Sequence, residues 1–459
     1  MGGPSDATQG SSGRAPFAGL LGWAMFDWAA QPFYTLILTF IFAPYFATVV
    51  VGNAVQGQAQ WGYLTAVAGL IVAFSGPVLG AIADATGRRK PWVAGFSAVL
   101  MAGLGALWFA LPGVAVFPLI AVAFIAATVA AEFATIFTNA MMPQLVPRAA
   151  LGRLSGTGWA LGYVGGLVSL VLMLGFVVAD PATQKTLLGL DPIFGLDQAS
   201  HADDRISGPF AALWYGLFVI PLFLFTPDGA AAGTRAGAVK RGLKELWGTL
   251  RQIAHLPPVA VFLLARMIYA DGLAALFAFG GIYGAGLFGW RSFELGLFGI
   301  LLTVAGVLGA AAGGVADDRF GAKQVIVGAL IGLLIGTLGI VSIDASRVLF
   351  VIDVPSPPEP GALFATTAER AYLAFALLIG LLGGPLQAAS RSMLARLAPP
   401  DKMTQYFGLF AFSGKVTAFL APLLIAAATE AVASQRAGVA VIIVFFAVGL
   451  VLMGRLRVA

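Results

Sequence analysis

The sequence predicts an all-α membrane protein, with twelve transmembrane helices in two pseudo-symmetric six-helix bundles. Three observations carry this expectation. The 459 residues are 59% hydrophobic and only 10% charged, whereas a soluble globular chain carries about 25% charged residues. A ruler of about 20 apolar residues per crossing finds twelve spans along the chain. Two separate patterns then recur once each, half a chain apart, which marks a duplicated unit.

The spans fall at 17–49, 61–85, 91–111, 114–142, 154–178, 209–226, 258–289, 293–316, 323–343, 369–392, 404–429 and 437–454. Residues 1–16 are rich in Gly, Ser and Ala and are expected to be a disordered N-terminus. The apolar run that follows exceeds a signal peptide's core of about 7–15 residues, so it reads as span 1. Spans 1 and 7 are too long for one straight crossing. Pro32 and Pro44 in the first and Gly280–Gly281 in the seventh are the expected bends. Leu243, Leu246, Trp247, Leu250 and Ile253 recur at helical spacing opposite Lys240, Lys244 and Arg251. They predict an amphipathic helix on the cytoplasmic membrane surface, within a linker (227–257) that joins an N-terminal bundle (17–226) to a C-terminal one (258–459). Loops 179–208 and 344–368 lack periodicity and are assigned no regular structure.

Cation placement orients the chain. Of its 26 Lys and Arg, eighteen fall on the side of the termini, six on the other, and Arg266 and Lys415 lie within spans. The positive-inside rule makes both termini cytoplasmic, in the inner cell membrane. The basic excess follows topology and gives no reason to expect nucleic acid. The chain has no Cys and two His, His201 and His255, both in loops. That excludes disulfides, thiolate metal sites and a Cys nucleophile. No metal or cofactor is expected.

The first recurrence is Gly80-x-x-x-Asp84-x-x-Gly87-Arg88-Arg89, matched by Gly314-x-x-x-Asp318-Arg319-x-Gly321. Gly76, Gly80 and Asp84 share one helix face, where absent side chains admit a neighbouring helix. The pattern resembles the loop signature of the major facilitator superfamily, between helices 2 and 3 and again between 8 and 9. The resemblance implies that each acid docks on a helix end of the other half and latches the cytoplasmic side. Ala85 departs from it, standing where an Arg usually follows the acid; Arg319 keeps that position in the second copy. The plainer reading of Arg88, Arg89 and Lys90 is that they only fix topology.

The second recurrence maps Met142, Leu145 and Pro147 onto Leu394, Leu397 and Pro399, and Gly156 and Gly162 onto Gly408 and Gly414, at a constant offset of 252. Spans 4–5 thus repeat as 10–11. Around them, Trp23-x-x-x-Asp27-Trp28, Asn139-Ala-x-x-Pro143, Arg153 through Gly166, Ser390-Arg391 and Ser413-Gly414-Lys415 resemble the vacuolar amino-acid effluxer-like family of major facilitators. Its eukaryotic members are associated with exporting amino acids from the vacuole. The superfamily arrangement implies a central cavity lined by helices 1, 4, 7 and 10.

Five ionisable residues lie well inside spans, away from their ends: Asp27, Glu132, Arg266, Asp271 and Lys415. A charge at mid-bilayer is costly, about 2.5–3.5 kcal/mol on insertion scales, and persists when paired, hydrated or useful. Asp27, Gln31 and Tyr34 share a face of span 1, as Glu132, Thr135 and Asn139 do in span 4. The 252 offset carries Thr135 and Asn139 onto Gln387 and Arg391, and Tyr163 onto Lys415. These residues are the candidate solute and proton site, with Asp27 expected to face Lys415. The plainer reading is a set of buried ion pairs that only hold helices together, and the Gly158, Gly162, Gly166 series reads as packing.

The function these features suggest is a secondary active transporter, a monomer in the bilayer. It would move a small polar solute, an amino acid or similar zwitterion favoured, by alternating access coupled to protons or another ion. An exporter of drugs or sugars is the alternative. A polytopic enzyme acting on lipid would need a nucleophile or metal cluster, for which the sequence offers no His or Cys group, and a sensor that has lost transport would not need the interior charges.

Overall fold

The computed structural model describes residues 14–52, 54–112, 117–178, 184–197, 200–229, 244, 247–248, 251, 257–288, 290, 292–355 and 364–456. The expected disordered segment therefore lies outside the described residues except for its last three, and so does most of the linker. Within the linker, residues 244, 247, 248 and 251 are helical, and Arg251 stacks on the exposed Trp247 ring at 5.2 Å.

The described residues are mostly helical. Numbered to match the spans, the helices are α1 (17–50), α2 (Ala54–Thr86), α3 (Lys90–Ala106), α4 (Phe117–Leu145), α5 (Leu151–Phe176), α6 (Ser207–Phe225), α7 (Pro257–Phe288), α8 (Ser292–Phe320), α9 (Ala322–Val341), α10 (Thr367–Leu397), α11 (403–432) and α12 (Gln435–Arg455). Ten are long and apolar enough to cross a membrane as single helices; α1 and α11 are interrupted. Their outer faces carry Phe74, Val122, Leu213 and Leu308, all more than half exposed, as helices sealed on their own backbone hydrogen bonds do toward lipid.

Helix α1 changes character where Pro32 predicts. It is an α-helix over Phe17–Pro32 and π-wound over Phe33–Phe40, and it breaks at Ile41 (φ −117°, ψ −67°) before a short turn holding Pro44. Pro32 has no N–H for the carbonyl of Trp28, and Trp214 of α6 donates its Nε1 to that oxygen at 3.2 Å. Helix α7, by contrast, runs unbroken through Gly280–Gly281. A glycine without a proline weakens a helix by only about 1 kcal/mol. Here Tyr372 of α10 donates to the Gly280 carbonyl at 2.6 Å and supports the turn.

The break that sequence did not foresee is in α11. The helix stops at Ser413, passes through turns at 414–419 and resumes as Leu420–Val432. Gly414 lowers the helix preference, and Pro422 cannot donate to the carbonyl of Ala418. In between, Ala418 N bonds to Lys415 O and Leu420 N to Thr417 O, tightened contacts three residues apart. The loops at 179–208 and 344–368 also hold more than expected. They contain a 3₁₀ turn at Ile193–Gly195, a short helix Ala202–Arg205 and a hairpin pairing Arg347–Val348 with Ile352–Asp353. Helix α10 begins two residues earlier than the hydropathy suggests because Thr366 and Glu369 form a reciprocal capping box.

The two halves meet chiefly where α2 packs on α11 and α5 on α8. Small residues set these approaches. A Cβ on Gly80 would stand 2.6 Å from the Thr404 carbonyl, and one on Gly156 would stand 2.6 Å from that of Ala310. The chain turns after α2 and α8 through Gly87 (φ 78°) and Gly321 (φ 91°), a backbone region open mainly to glycine.

Candidate functional site

The described ends of the chain lie at one end of the bundle, where Ala15 N bonds to Leu145 O and Lys323 Nζ to Leu456 O. That end is latched. Asp84, at the end of α2, accepts from the backbone N–H groups of Thr404 (3.1 Å) and Gln405 (2.8 Å), in the first turn of α11. Asp318, at the end of α8, accepts from Gly152 N (2.8 Å) in the first turn of α5 and from Arg153 Nε (2.9 Å). A carboxylate on the free N–H groups of a helix start gains both hydrogen bonds and the favourable end of the helix dipole. The 252 offset maps residues 152 and 153 onto 404 and 405, so the two contacts are copies of one another.

The cations around the latch are not all those the motif names. Arg89 is buried, bonding Asp84 (3.2 Å) and the Thr404 hydroxyl (2.9 Å). Arg88 and Arg319 are exposed and take no part, Arg319 lying over the ring of Phe320. Asp317, the residue before Asp318, is fully buried and held by Arg396 and Ser392 of α10. Sequence reading passed over Asp317 and Arg396. The signal that could have found Asp317 is the doubled acid Asp317-Asp318 in the second copy of the motif, where the first copy has Ala83-Asp84.

Further in, two ion pairs join the halves. Arg391 of α10 donates from Nη1 to Asp27 Oδ2 (3.0 Å) and Asn139 Oδ1 (3.1 Å), and from Nε to the Ser155 hydroxyl (2.8 Å), with Trp23 and Trp159 on its flanks. Asn139 and Arg391 are equivalent under the 252 offset, so their contact lies where the two repeats face each other. The second pair is Lys415 Nζ with Glu132 Oε1, at 2.9 Å. The expected Asp27–Lys415 pair is thus not formed. The loosening of α11 just before Lys415 sets that side chain against α4, while the longer guanidinium reaches α1. In both pairs the first half supplies the anion and the second half the cation.

Depth and exposure run together. Arg391 is six residues from the latched end of α10, and its side chain is 5% exposed; Lys415 is twelve residues into α11 and 35% exposed. At about 1.5 Å per residue, the second pair lies roughly 9 Å farther from the latch. Lys415 thus keeps solvent access deep within a spanning helix, whereas Arg391, nearer the latch, is closed off.

The remaining candidates surround these pairs. Gln31 lies against Gly162 and Gly166, and Asp27 against Gly158, so the glycine series of α5 seats the polar face of α1. Tyr34 is beside Thr135 and Glu132. Tyr163 packs against Trp159 with the rings tilted at 45° and their centroids 5.8 Å apart. Gln387 is half-buried one turn before Arg391 and joins none of these contacts. Arg266 of α7 donates to the Phe410 carbonyl (2.7 Å) and the Ser413 hydroxyl (3.0 Å) at the α11 break. Asp271 lies buried near Thr417. Among the described residues no group of three His, Cys, Asp or Glu could hold a metal.

A latched twelve-helix bundle with charges lining its interior defines a membrane transporter of the major facilitator class. A family model described as "Vacuole effluxer Atg22 like" matches residues 47–459, and the chain belongs to that family. It is similar to an uncharacterised MFS-type transporter, YxiO, of Bacillus subtilis, 24% identical over 435 residues that cover 94% of this chain and 93% of that one. Autophagy-related protein 22 of Cryptococcus neoformans is 25% identical over 311 residues, 67% of this chain and half of that relative. In fold it resembles the major facilitator FucP in its outward conformation (TM-score 0.70, 14% identity, 96% of this chain and 99% of that one). It also resembles the proton:xylose symporter XylE (TM-score 0.66, 12% identity, 96% and 94%). The family and these neighbours are transporters, not enzymes.

Proposed function

We propose that the protein is a secondary active transporter of a small zwitterion, an amino acid or a close analogue, worked by alternating access and coupled to protons. The observation that carries this reading is the pair of cross-half salt bridges, Asp27–Arg391 and Glu132–Lys415. A solute carboxylate can replace Glu132 at Lys415, and a solute ammonium can replace Lys415 at Glu132, so a zwitterion satisfies both charges it separates. A sugar or neutral drug leaves two desolvated charges with no better partner than each other.

In this reading 17–226 and 258–459 move as two bundles about the ion pairs, with 227–257 as their link. The latched end is cytoplasmic, by the positive-inside count, and the protein works as a monomer in the cell membrane. The Asp84 and Asp318 contacts hold the inner gate shut while the cavity faces outward. A thermal-shift screen of the purified protein against amino acids, dipeptides, sugars and drugs tests the solute class. Stabilisation by amino acids, lost in Lys415→Ala, supports it; stabilisation by sugars or drugs alone replaces it.

A further inference from the structure

Of the acids inside the spans, Asp27 and Glu132 each face a cation of the other half, and Asp271 does not. Asp271 is 3% exposed, and its Oδ2 has no hydrogen-bond partner among the described residues. From α7 itself it is neighboured by Arg266, and by Tyr269, whose hydroxyl is engaged with Ser390 of α10 at 2.7 Å. From α11 the hydroxyl of Thr417, in the loosened stretch, makes a loose contact with the carboxyl that falls short of full hydrogen-bond geometry. On α12, Phe445 and Phe446 pack against the adjacent Gly272. Arg266 is held elsewhere, donating to Phe410 O and Ser413 Oγ, with its Cζ 3.4 Å above the Phe410 ring.

An ionised carboxylate buried without a paired cation or full hydrogen bonding is strongly disfavoured, and such a group binds a proton instead. A hard metal ion fits less well. It asks for about six or more oxygen ligands, whereas the side-chain oxygen another helix offers here is that of Thr417, and the Arg266 guanidinium repels a second cation.

We propose that Asp271 binds the coupling proton, and that losing it draws Arg266 off the α11 break, releasing the stretch that positions Lys415. This rests on the proton-coupled reading above and names its site. With the proton on Oδ2, Asp271 is neutral, and Arg266 stays on the Phe410 carbonyl and Ser413. Lys415, two residues beyond Ser413, stays with Glu132. When the proton leaves, the nearest cation to the new carboxylate is Arg266. Its departure removes a donor and a stacked plane from residues 410–413, and Lys415 moves with them. Arg266 is a positioning residue in this scheme, and Asp271 carries the charge.

The test uses purified full-length protein without solute. A pH titration followed by infrared difference spectroscopy reads the carboxyl band of a protonated acid. Bimane attached at Val416→Cys, in this otherwise cysteine-free chain, reads movement of the α11 break. The wild type should show one titrating carboxyl band and a bimane change with the same midpoint. Asp271→Asn should lose both and hold the bimane at its acid plateau, Asp271→Glu should restore both at a displaced midpoint, and Arg266→Gln should keep the band while losing the bimane response. A band and bimane change that persist in Asp271→Asn and vanish in Asp27→Asn overturn the proposal, as does a bimane signal that never depends on pH. Because no solute is used, a chain that moves no solute can still pass, and a transporter that keeps its titration in Asp271→Asn sinks this proposal alone.

Discussion

The two interior ion pairs have the same chemistry and different surroundings, so removing one partner from each should have unequal consequences. In Asp27→Asn the Arg391 guanidinium stays buried, 5% exposed, with no anion beside it. Breaking such a pair costs about 3–5 kcal/mol, and the lower figure applies because Asn139 and Ser155 still accept from the guanidinium. In Glu132→Gln the stranded Lys415 is 35% exposed. Water screens it, and the loss should be nearer the 0–1 kcal/mol typical of accessible pairs. In a bundle of about 200 residues, 3 kcal/mol lowers the melting temperature by about 6–12 °C. The assay is the thermal melt of each variant in detergent, with the double variant Asp27→Asn, Arg391→Gln closing the cycle. The double should be more stable than the sum of the singles implies, by about 0.5–3 kcal/mol. Equal losses from Asp27→Asn and Glu132→Gln, or strict additivity in the cycle, would refute the reasoning.

Three further outcomes follow from the latch and the repeat. Asp84→Asn removes the charge on the α11 start, worth about 0.3–2 kcal/mol by helix-dipole effects; it should raise maleimide labelling at Ala395→Cys, buried behind the latch, and Asp318→Asn should do the same. Unchanged labelling with less folded protein would make these acids structural. Gly156→Val should push α5 from α8, because its Cβ collides with the Ala310 carbonyl, and should stop solute exchange while leaving a foldable chain; exchange at the wild-type rate would show that the close approach is dispensable. In intact cells an impermeant maleimide should label Ser346→Cys on the hairpin and spare Asp401→Cys at the latched end, and the reverse pattern would invert the topology.

Much of the architecture is written locally. Twelve apolar stretches, Pro32 and the 252-residue repeat are each readable without tertiary information, because a bilayer imposes length and a proline removes a donor wherever it sits. Asp84 and Asp318 were legible as candidates because glycine spacing and a recurring acid survive in sequence. What sequence could not supply was pairing. Asp27 and Lys415 lie ten and eleven residues into spans 17–49 and 404–429, and that count alone set them together. Which cation reaches which anion depends on the break at 414–419, and that break depends on Gly414 and Pro422 acting eight residues apart. The converse occurred in α7, where Gly280–Gly281 looked like a bend or break and the helix runs on through it, with Tyr372 from another helix bonded to the Gly280 carbonyl. The doubled acid at Asp317 was a weak signal that sequence could not complete, because its partner Arg396 is fixed only once α8 packs against α10.

The most direct test of the account is transport itself. Purified protein is reconstituted into liposomes, and the amino acid that most raises its melting temperature is offered under a proton gradient. The expected result is accumulation above equilibrium that a protonophore collapses, absent in Arg391→Gln and replaced by gradient-independent exchange in Asp271→Asn. Accumulation of a sugar or an uncharged drug with no amino acid moved, or amino-acid uptake indifferent to the proton gradient, would contradict it.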